Sequence, residues 1–190
     1  MEIVKIDLPT RNGAFTGVAF RNSSSEAFAL VKGWPVEGAE NLLVRVHSGC
    51  LEGDVFSSQL CDCREQLEKA LGLISKEKQG ILIYLDQEGR GIGLFNKMKA
   101  LALQEKGLDT HDANIQLGFP ADSRDYADAA AILKTLGVKS IRLLTNNPNK
   151  PKQLEKTGVK VSEVVPLKTA PNKFNEKYLQ TKKTKLGHQL

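Results

Sequence analysis

The stretch GILIYLDQEGRGIGLFNKMKAL, residues 80–101, passes from an apolar run through a glycine-rich segment into a run with helical spacing. Its first part is uniformly apolar, as in a strand that is buried on both faces of a sheet. Leu94, Met98, Leu101 and Glu105 then recur at helical spacing, which predicts one helix face and, for the leucines, core packing. A strand, a tight turn and a helix in this order are typical of α/β folds, where ligands bind at the carboxyl ends of strands.

The same alternation continues on both sides of this stretch. Four apolar runs precede it, with strand-like composition and turn residues between them: EIVKIDL (2–8), AFTGVAF (14–20), AFALVKG (27–33) and LLVRVHS (42–48). Helical spacing follows in 67–74, with Asp62 available as an N-cap, and later in 129–136. SIRLLT (140–145), PKQLEKTG (151–158) and VKVSEVV (159–165) then predict strand, helix and strand. We therefore predict one α/β domain over 1–190: a mixed sheet with packed helices, a strand-rich N-terminal half and an alternating α/β C-terminal half.

All three cysteines of the chain, Cys50, Cys61 and Cys63, lie within one short segment. The odd count disfavours a disulfide framework, and buried structural thiols would not normally flank a polar residue as in CDC. A metal site is favoured, with zinc as the metal because thiolates are soft ligands. A closed structural site would need His47, His111 or His188 as a fourth ligand, whereas an open site with three thiolates leaves one position for water. Zinc lowers the pKa of such a water to about 7.

Composition limits the partners that the chain is expected to have. A hydrophobic content of 41% is ordinary for a soluble globular protein. Residues 168–190 hold six lysines and one glutamate, which accounts for the whole net charge of +5. Such a basic tail either attracts an anionic substrate or is simply solvated. Basic and aromatic residues do not interleave, and no signal-like or membrane-length apolar run occurs, so we expect no nucleic acid, no membrane and a cytoplasmic location.

Three strand-to-helix turns carry candidate binding residues. In QEGRG, Glu88 could accept the paired N–H groups of a guanine edge and Arg90 could bind phosphate, although a plain tight turn is the alternative. In TNNPNK, Thr145 and Lys150 offer a hydroxyl and a cation, or only a capping loop. In FPADSRDY, Asp122 is most simply interpreted as an N-cap residue, followed by an acidic third position.

Together RVHSGC, the cysteine spacing, DQEGRGIGL, DTHDANIQLGFPADSRDY and LLTNNPNK closely resemble the GTP cyclohydrolase II family of riboflavin biosynthesis. The resemblance implies zinc bound by the three cysteines, Mg²⁺ on the triphosphate of GTP, and a homodimer. It implies that the GTP site is lined by Arg45, Val46, His47, Ser48, Gly49, Gln66, Glu88, Gly89, Arg90, Thr110, Thr145 and Lys150. Asp122 would be the proton acceptor. Arg124 would be either the nucleophile toward the α-phosphate or, because a guanidinium stays protonated, the group that holds this phosphate while water attacks.

The implied reaction opens the imidazole ring of guanine at C8, releases diphosphate and finally releases formate. This chain departs from the family pattern at two positions. Gly49 replaces a glutamate beside a zinc ligand, and Leu101 replaces a tyrosine in the helix after GLFNK. Three outcomes stay open: the complete reaction, a reaction that stops at the formamidopyrimidine nucleotide, and a GTP-binding regulatory paralogue without catalysis.

Overall fold

Seven strands form one mixed sheet in the computed structural model, which describes residues 1–189. They are β1 (Glu2–Thr10), β2 (Gly13–Arg21), β3 (Glu26–Lys32), β4 (Leu42–Ser48), β5 (Gly80–Leu85), β6 (Ile141–Leu144) and β7 (Val161–Val165). Their order across the sheet is β1-β2-β3-β5-β4-β6-β7. Strands β1, β2, β3 and β5 pair antiparallel, whereas β5, β4, β6 and β7 pair parallel. The predicted fold class is confirmed, including all seven strands.

The parallel half of the sheet brings three of the sequence motifs to one edge. Ser48 at the end of β4 lies opposite Leu85 at the end of β5, and β6 ends beside β4 at Leu144. The segments HSGC, DQEGRG and TNNP therefore start at adjacent strand ends. In an open α/β sheet this edge is where ligand sites form.

Helices cover both faces of the sheet. They are α1 (Cys63–Ile74), α2 (Glu88–Gly91), α3 (Leu94–Glu105), α4 (Thr110–Gln116), α5 (Ala127–Thr135), α6 (Asn149–Lys156) and α7 (Glu176–Leu186), and one π-helical turn spans Leu51–Val55. Ala70 and Ile74 of α1 pack with Leu43 and Leu82 on one face. The larger core lies on the other face, where Ile132 and Leu133 of α5 pack against alternate residues of β4 and β5. Both central strands are thus buried on both sides, which explains the continuous hydrophobic sequence of β5; in β4 the buried Arg45 and His47 interrupt it.

Several local interpretations of the sequence need correction. Asp62 does precede α1, but its side chain does not cap the helix. Leu94 and Met98 are 41% and 39% exposed, so their face of α3 does not pack in the core. The π-helical turn, α4 and α7 were not predicted, and α7 means that the basic segment is folded rather than a solvated tail. Leu190 lies outside the described residues.

Within residues 1–189, no helix combines the length and apolar character that crossing a membrane requires.

Candidate active site

A cavity of about 390 Å³ opens at the carboxyl ends of β4, β5 and β6. It is lined by nearly all the residues that the family resemblance implies: Arg45, His47, Ser48, Gly49, Cys50, Cys61, Cys63, Gln66, Glu88, Gly89, Arg90, Thr110, Arg124, Thr145 and Lys150. Two predicted residues do not line it. Val46 lies in the core, and only its carbonyl reaches the site, by accepting a hydrogen bond from Lys150 Nζ at 2.6 Å. Asp122 does not line the cavity itself, but it forms an ion pair with Arg124, which does.

The three cysteine sulfurs form a group whose dimensions suit a zinc ion. All three lie within 4.8 Å of one another, and Cys50 Sγ is 3.7 Å from Cys61 Sγ. Tetrahedral zinc with Zn–S bonds of about 2.3 Å requires neighbouring sulfurs about 3.8 Å apart. In the described part of the chain, no histidine joins the cysteines in a group of this size. The donor set therefore fits an open three-thiolate site better than the closed alternative.

A glycine makes room for the sulfurs. A Cβ atom on Gly53, in the π-helical turn, would lie 2.9 Å from Cys61 Sγ and 3.2 Å from Cys50 Sγ. Such distances are too short for a carbon–sulfur contact. Any side chain at this position would push the thiols apart, so Gly53 belongs to the site although no sequence motif pointed to it.

The electrostatics of the thiols favour a cation beside them. The pKa of the Cys50 thiol is lowered because the thiols of Cys61 and Cys63 donate hydrogen bonds to it. The pKa of the Cys61 thiol is raised to about 11 by the same contact. Lys97 Nζ lies 3.2 Å from Cys50 Sγ and also pairs with Glu52 and Glu88. Three thiolates and a zinc ion carry a net charge of −1, which the Lys97 ammonium would offset.

A buried hydrogen-bond network holds the cysteine loop against the sheet. Asp54 accepts hydrogen bonds from the backbone N–H of Cys50 at 3.0 Å, from the Tyr84 hydroxyl at 3.0 Å and from His47 Nε2 at 2.9 Å. Burial lowers the pKa of His47 despite the nearby carboxylate, so the ring is neutral and donates Nε2–H to Asp54. His47 thus supports the loop and is not a fourth metal ligand.

Gly49 belongs to the same arrangement. A Cβ atom at this position would lie 2.9 Å from the hydroxyl oxygen of Tyr84 and about as close to its ring. With glycine here, the Tyr84 ring stacks on His47 at a centroid distance of 5.4 Å and reaches Asp54. Gly49, which departs from the family pattern, therefore leaves the room that the Tyr84 ring occupies. A larger residue would force Tyr84 to shift.

A cluster of cations occupies the end of the cavity nearest β6. Arg45 is buried and donates to Leu144 O and Gln66 Oε1, while Lys150 is buried against Val46 O. Burial lowers the pKa of Arg45 to about 10. Burial, together with the charges of Arg45 and Arg124, also lowers the pKa of Lys150. An anion in this part of the cavity would relieve the repulsion, as a phosphate chain does.

Asp122 is an ion-pair partner and not a helix cap. Helix α5 begins at Ala127, whose N–H bonds to Asp125. Asp122 instead accepts hydrogen bonds from the backbone N–H and Nε of Arg124, and its other oxygen pairs with Arg124 Nη2 at 2.5 Å. Burial alone would raise the pKa of Asp122, but Arg124 outweighs it and the pKa is lowered. The same pair raises the pKa of Arg124 against its burial, so its guanidinium stays protonated.

The QEGRG turn places Glu88 and Arg90 at the opening of the cavity. Glu88 Oε2 accepts a hydrogen bond from Leu51 N at 2.7 Å, and Oε1 pairs with Lys97 at 2.6 Å. Oε1 also accepts a hydrogen bond from Gly89 N at 3.1 Å. A carboxylate has about four acceptor positions, so Glu88 keeps one for a ligand. Arg90 has a backbone φ of 62°, which is rare for a residue with a side chain and clusters at functional sites. Its Nη2 is buried without a hydrogen-bond partner in residues 1–189.

Several cavity residues escaped the sequence analysis. They are Lys97 of α3, Asn146 and Asn147 after β6, and Tyr178 and Lys182 of the C-terminal segment. His188, considered from the sequence only as a fourth zinc ligand, also lines the cavity. The two asparagines stand inside the TNNP motif and could have been included. The C-terminal residues carry no local signal, because α7 is largely polar and lacks a continuous apolar stripe.

Leu101 of α3 also lines the cavity. It lies one helical turn after Lys97, which contacts both Cys50 and Glu88. Residues four apart share a helix face, so position 101 faces the same part of the site as these contacts. Its position therefore suits contact with a ligand rather than packing in the core.

Residues 1–166 match the family model described as GTP cyclohydrolase II. The chain belongs to the GTP cyclohydrolase II family. The resemblance read from its motifs is thereby confirmed, and membership supports a hydrolase of this type. Two similar curated proteins, both named riboflavin biosynthesis protein RibBA, come from Endomicrobium trichonymphae and Phocaeicola vulgatus. They are 53% and 54% identical over 100% and 98% of this chain, but the matches cover only 47% and 46% of those proteins.

The chain thus spans about half the length of the curated relatives that it matches. A crystal structure of RibBX, a two-domain 3,4-dihydroxy-2-butanone 4-phosphate synthase from A. baumannii, aligns with 75% of this chain and 34% of that protein. The alignment has 23% sequence identity and a TM-score of 0.39.

Proposed function

We propose that this protein is a zinc-dependent hydrolase that opens the imidazole ring of GTP at C8 and releases diphosphate. The observation that carries the proposal is one cavity lined by three clustered thiols, a carboxylate suited to guanine, and a group of buried cations. Ring opening adds one water across the C8–N9 bond and gives a formamide. A second water releases formate, and a third cleaves the bond between the α- and β-phosphates.

Each part of the cavity has a role in this proposal. Cys50, Cys61 and Cys63 would hold zinc, which when bound supplies an activated water for attack on C8. Glu88 would accept hydrogen bonds from the guanine edge, and its ion pair with Lys97 orients the carboxylate. Arg45, Lys150 and Thr145 would bind the phosphate chain, and Mg²⁺ would accompany the triphosphate.

Arg124 and Asp122 would act as a pair at the α-phosphate. The ion pair keeps Arg124 protonated, which makes its guanidinium a poor nucleophile and a good phosphate ligand. We therefore assign phosphate binding to Arg124, with water as the attacking group. Asp122, which is paired with Arg124 beside the cavity, would accept the proton of that water.

Incubation of the zinc-loaded protein with Mg²⁺ and GTP tests the proposal directly. Diphosphate release together with a ring-opened nucleotide, identified by mass spectrometry, is the expected result. GTP binding without either product would instead favour the regulatory alternative. Absence of GTP binding would contradict both.

Glu88→Gln is expected to lower kcat/KM for GTP by one to two decades. A hydrogen bond to a charged partner in a site of this kind contributes about 1.5–3 kcal/mol, which corresponds to that factor. The ratio of GTP to ATP turnover should fall with it, because the carboxylate would be the group that recognises guanine.

Glu52→Gln is the matched control for this variant. Glu52 shares the Lys97 ammonium with Glu88, so both substitutions remove one of its ion pairs. If the two variants lose activity equally and GTP selectivity is intact, the role of Glu88 is to pair with Lys97, and its assignment to guanine recognition is wrong.

Leu101 favours a second candidate function, in which the reaction stops at the formamidopyrimidine nucleotide. Leucine offers no hydrogen bond at a position that lies on the Lys97 face of α3 and lines the cavity. Ring opening and diphosphate release use other groups and would persist.

The biological setting also belongs to the proposal. The names of the similar proteins support a place in riboflavin biosynthesis. Cytoplasmic location and a homodimer rest on composition and on the family resemblance alone.

A further inference from the structure

The C-terminal segment 172–189 crosses the opening of the cavity from one side to the other. At its start, Asn172 Nδ2 donates to Gln59 O and Asn175 Nδ2 donates to Cys61 O, each at 3.3 Å, so it is tied to the cysteine loop. At its end, Gln189 N donates to Asn146 O at 3.0 Å, which ties it to the loop after β6. The segment therefore connects the thiol end of the cavity with the cationic end.

Helix α7 is anchored in this crossing by a buried ion pair. Lys182 Nζ lies 2.8 Å from Asp62 Oδ1, and the Asp62 side chain is fully buried. Lys182 also lies over the Tyr178 ring at 4.5 Å, and the guanidinium of Arg90 lies 6.0 Å from the same ring. Lys183, the next residue along, is exposed, so the face with Lys182 is the one that enters the site.

His188 follows this helix and lines the cavity. Burial, together with the nearby charges of Lys182, Arg124 and Arg90, lowers the pKa of His188 to about 3. In the free protein the imidazole is therefore neutral and can donate one N–H. A neutral donor surrounded by cations is suited to contact a phosphate oxygen, because the cations attract the phosphate and the imidazole adds no further repulsion.

We propose that the C-terminal segment forms one wall of the nucleotide site and that His188 donates a hydrogen bond to the phosphate chain of the bound nucleotide. This inference rests on the proposed function, since it takes a nucleoside triphosphate as the ligand. It extends the site to residues that lie beyond 1–166, the range of the family match. If the segment only stabilised the fold, replacement of His188 would affect ligands with and without a phosphate chain alike.

Binding of two probes to the full-length, zinc-loaded chain separates these roles. The first probe is a GTP analogue with a methylene group between the α- and β-phosphorus atoms, and the second is guanosine. His188→Ala is expected to weaken binding of the analogue about tenfold, as for loss of one hydrogen bond to a charged group. Guanosine binding should not change, because it has no phosphate. His188→Gln keeps an N–H donor and should recover most of the affinity.

Two further proteins control for folding. Gln189→Ala alters the adjacent exposed side chain but keeps the backbone bond to Asn146, and it should bind both probes as the wild type does. A chain that ends at Leu186 keeps α7 and the Lys182–Asp62 pair, and it should behave as His188→Ala does.

Equal binding of the analogue by His188→Ala and the wild type would overturn the inference and leave the proposed function standing. Equal loss of guanosine and analogue binding would overturn it in favour of a structural role. A wild-type chain that binds neither probe would refute the proposed function and the inference with it.

Discussion

Cys61→Ser is expected to lose its zinc and its ring-opening activity. Cys61 Sγ lies at one corner of the sulfur group, 3.7 Å from Cys50 Sγ, and a serine hydroxyl is a harder, poorly ionised ligand in place of a thiolate. Two thiolates alone do not hold zinc tightly. Without the metal, the attacking water keeps its ordinary pKa of about 15.7 instead of about 7. Turnover at C8 should therefore fall by several orders of magnitude.

The measurement is elemental analysis of the purified variant together with mass spectrometry of the GTP reaction. One zinc per chain is expected in the wild type and far less in Cys61→Ser. Ser58→Ala is a suitable control, because Ser58 lines the same cavity near the cysteines without being a candidate ligand. Binding of GTP should survive in Cys61→Ser, since the cations at the other end of the cavity remain. A variant that keeps stoichiometric zinc and normal ring opening would disprove the three-thiolate site.

The strands and the thiol site could be predicted because their signals are local. Each central strand is buried on both faces, so β5 appears in the sequence as a continuous apolar run and β4 as an apolar run interrupted by the buried Arg45 and His47. The cysteines are close in the chain as well as in space. Carboxyl ends of adjacent parallel strands meet at one edge, which is why three separate motifs could be assigned to one site.

What could not be predicted depends on contacts between distant parts of the chain. Lys182 and Asp62 are 120 residues apart, and nothing near either residue marks the pair. Helix α7 buries Thr181 and Lys182 beside Leu179, so its inward face is polar and resembles a solvated tail. For Asp122 a local signal existed in the sequence but led to the wrong interpretation. A local capping pattern was present, yet the neighbouring Arg124 forms a stronger, charge-assisted contact with the carboxylate.

Leu101→Tyr is expected to raise the rate of formate release by about 10²–10⁴-fold, the usual contribution of a positioned acid or base. The wild type should open the ring and release diphosphate but accumulate the formamidopyrimidine nucleotide. Deformylation requires the flexible formamide to be held and protonated, and the leucine side chain can do neither. Gln104 of α3, which also lines the cavity, is a poor substitute, because its Nε2 already donates to Ala100 O at 3.2 Å.

The geometry of α3 explains why the effect should concentrate on the second hydrolysis. Lys97, one turn earlier, contacts Cys50 and Glu88, so a hydroxyl on the next turn would face the formamide of the ring-opened nucleotide and leave the thiols and the guanine contacts unchanged. Leu103→Tyr adds the same hydroxyl to the same helix at a position that does not line the cavity, and it should leave formate release slow. Formate and diphosphate are measured together over one time course, with mass spectrometry of the nucleotide. Formate that appears in step with diphosphate in the wild type would show that another group already serves the deformylation, and the complete reaction would then be the function of this chain.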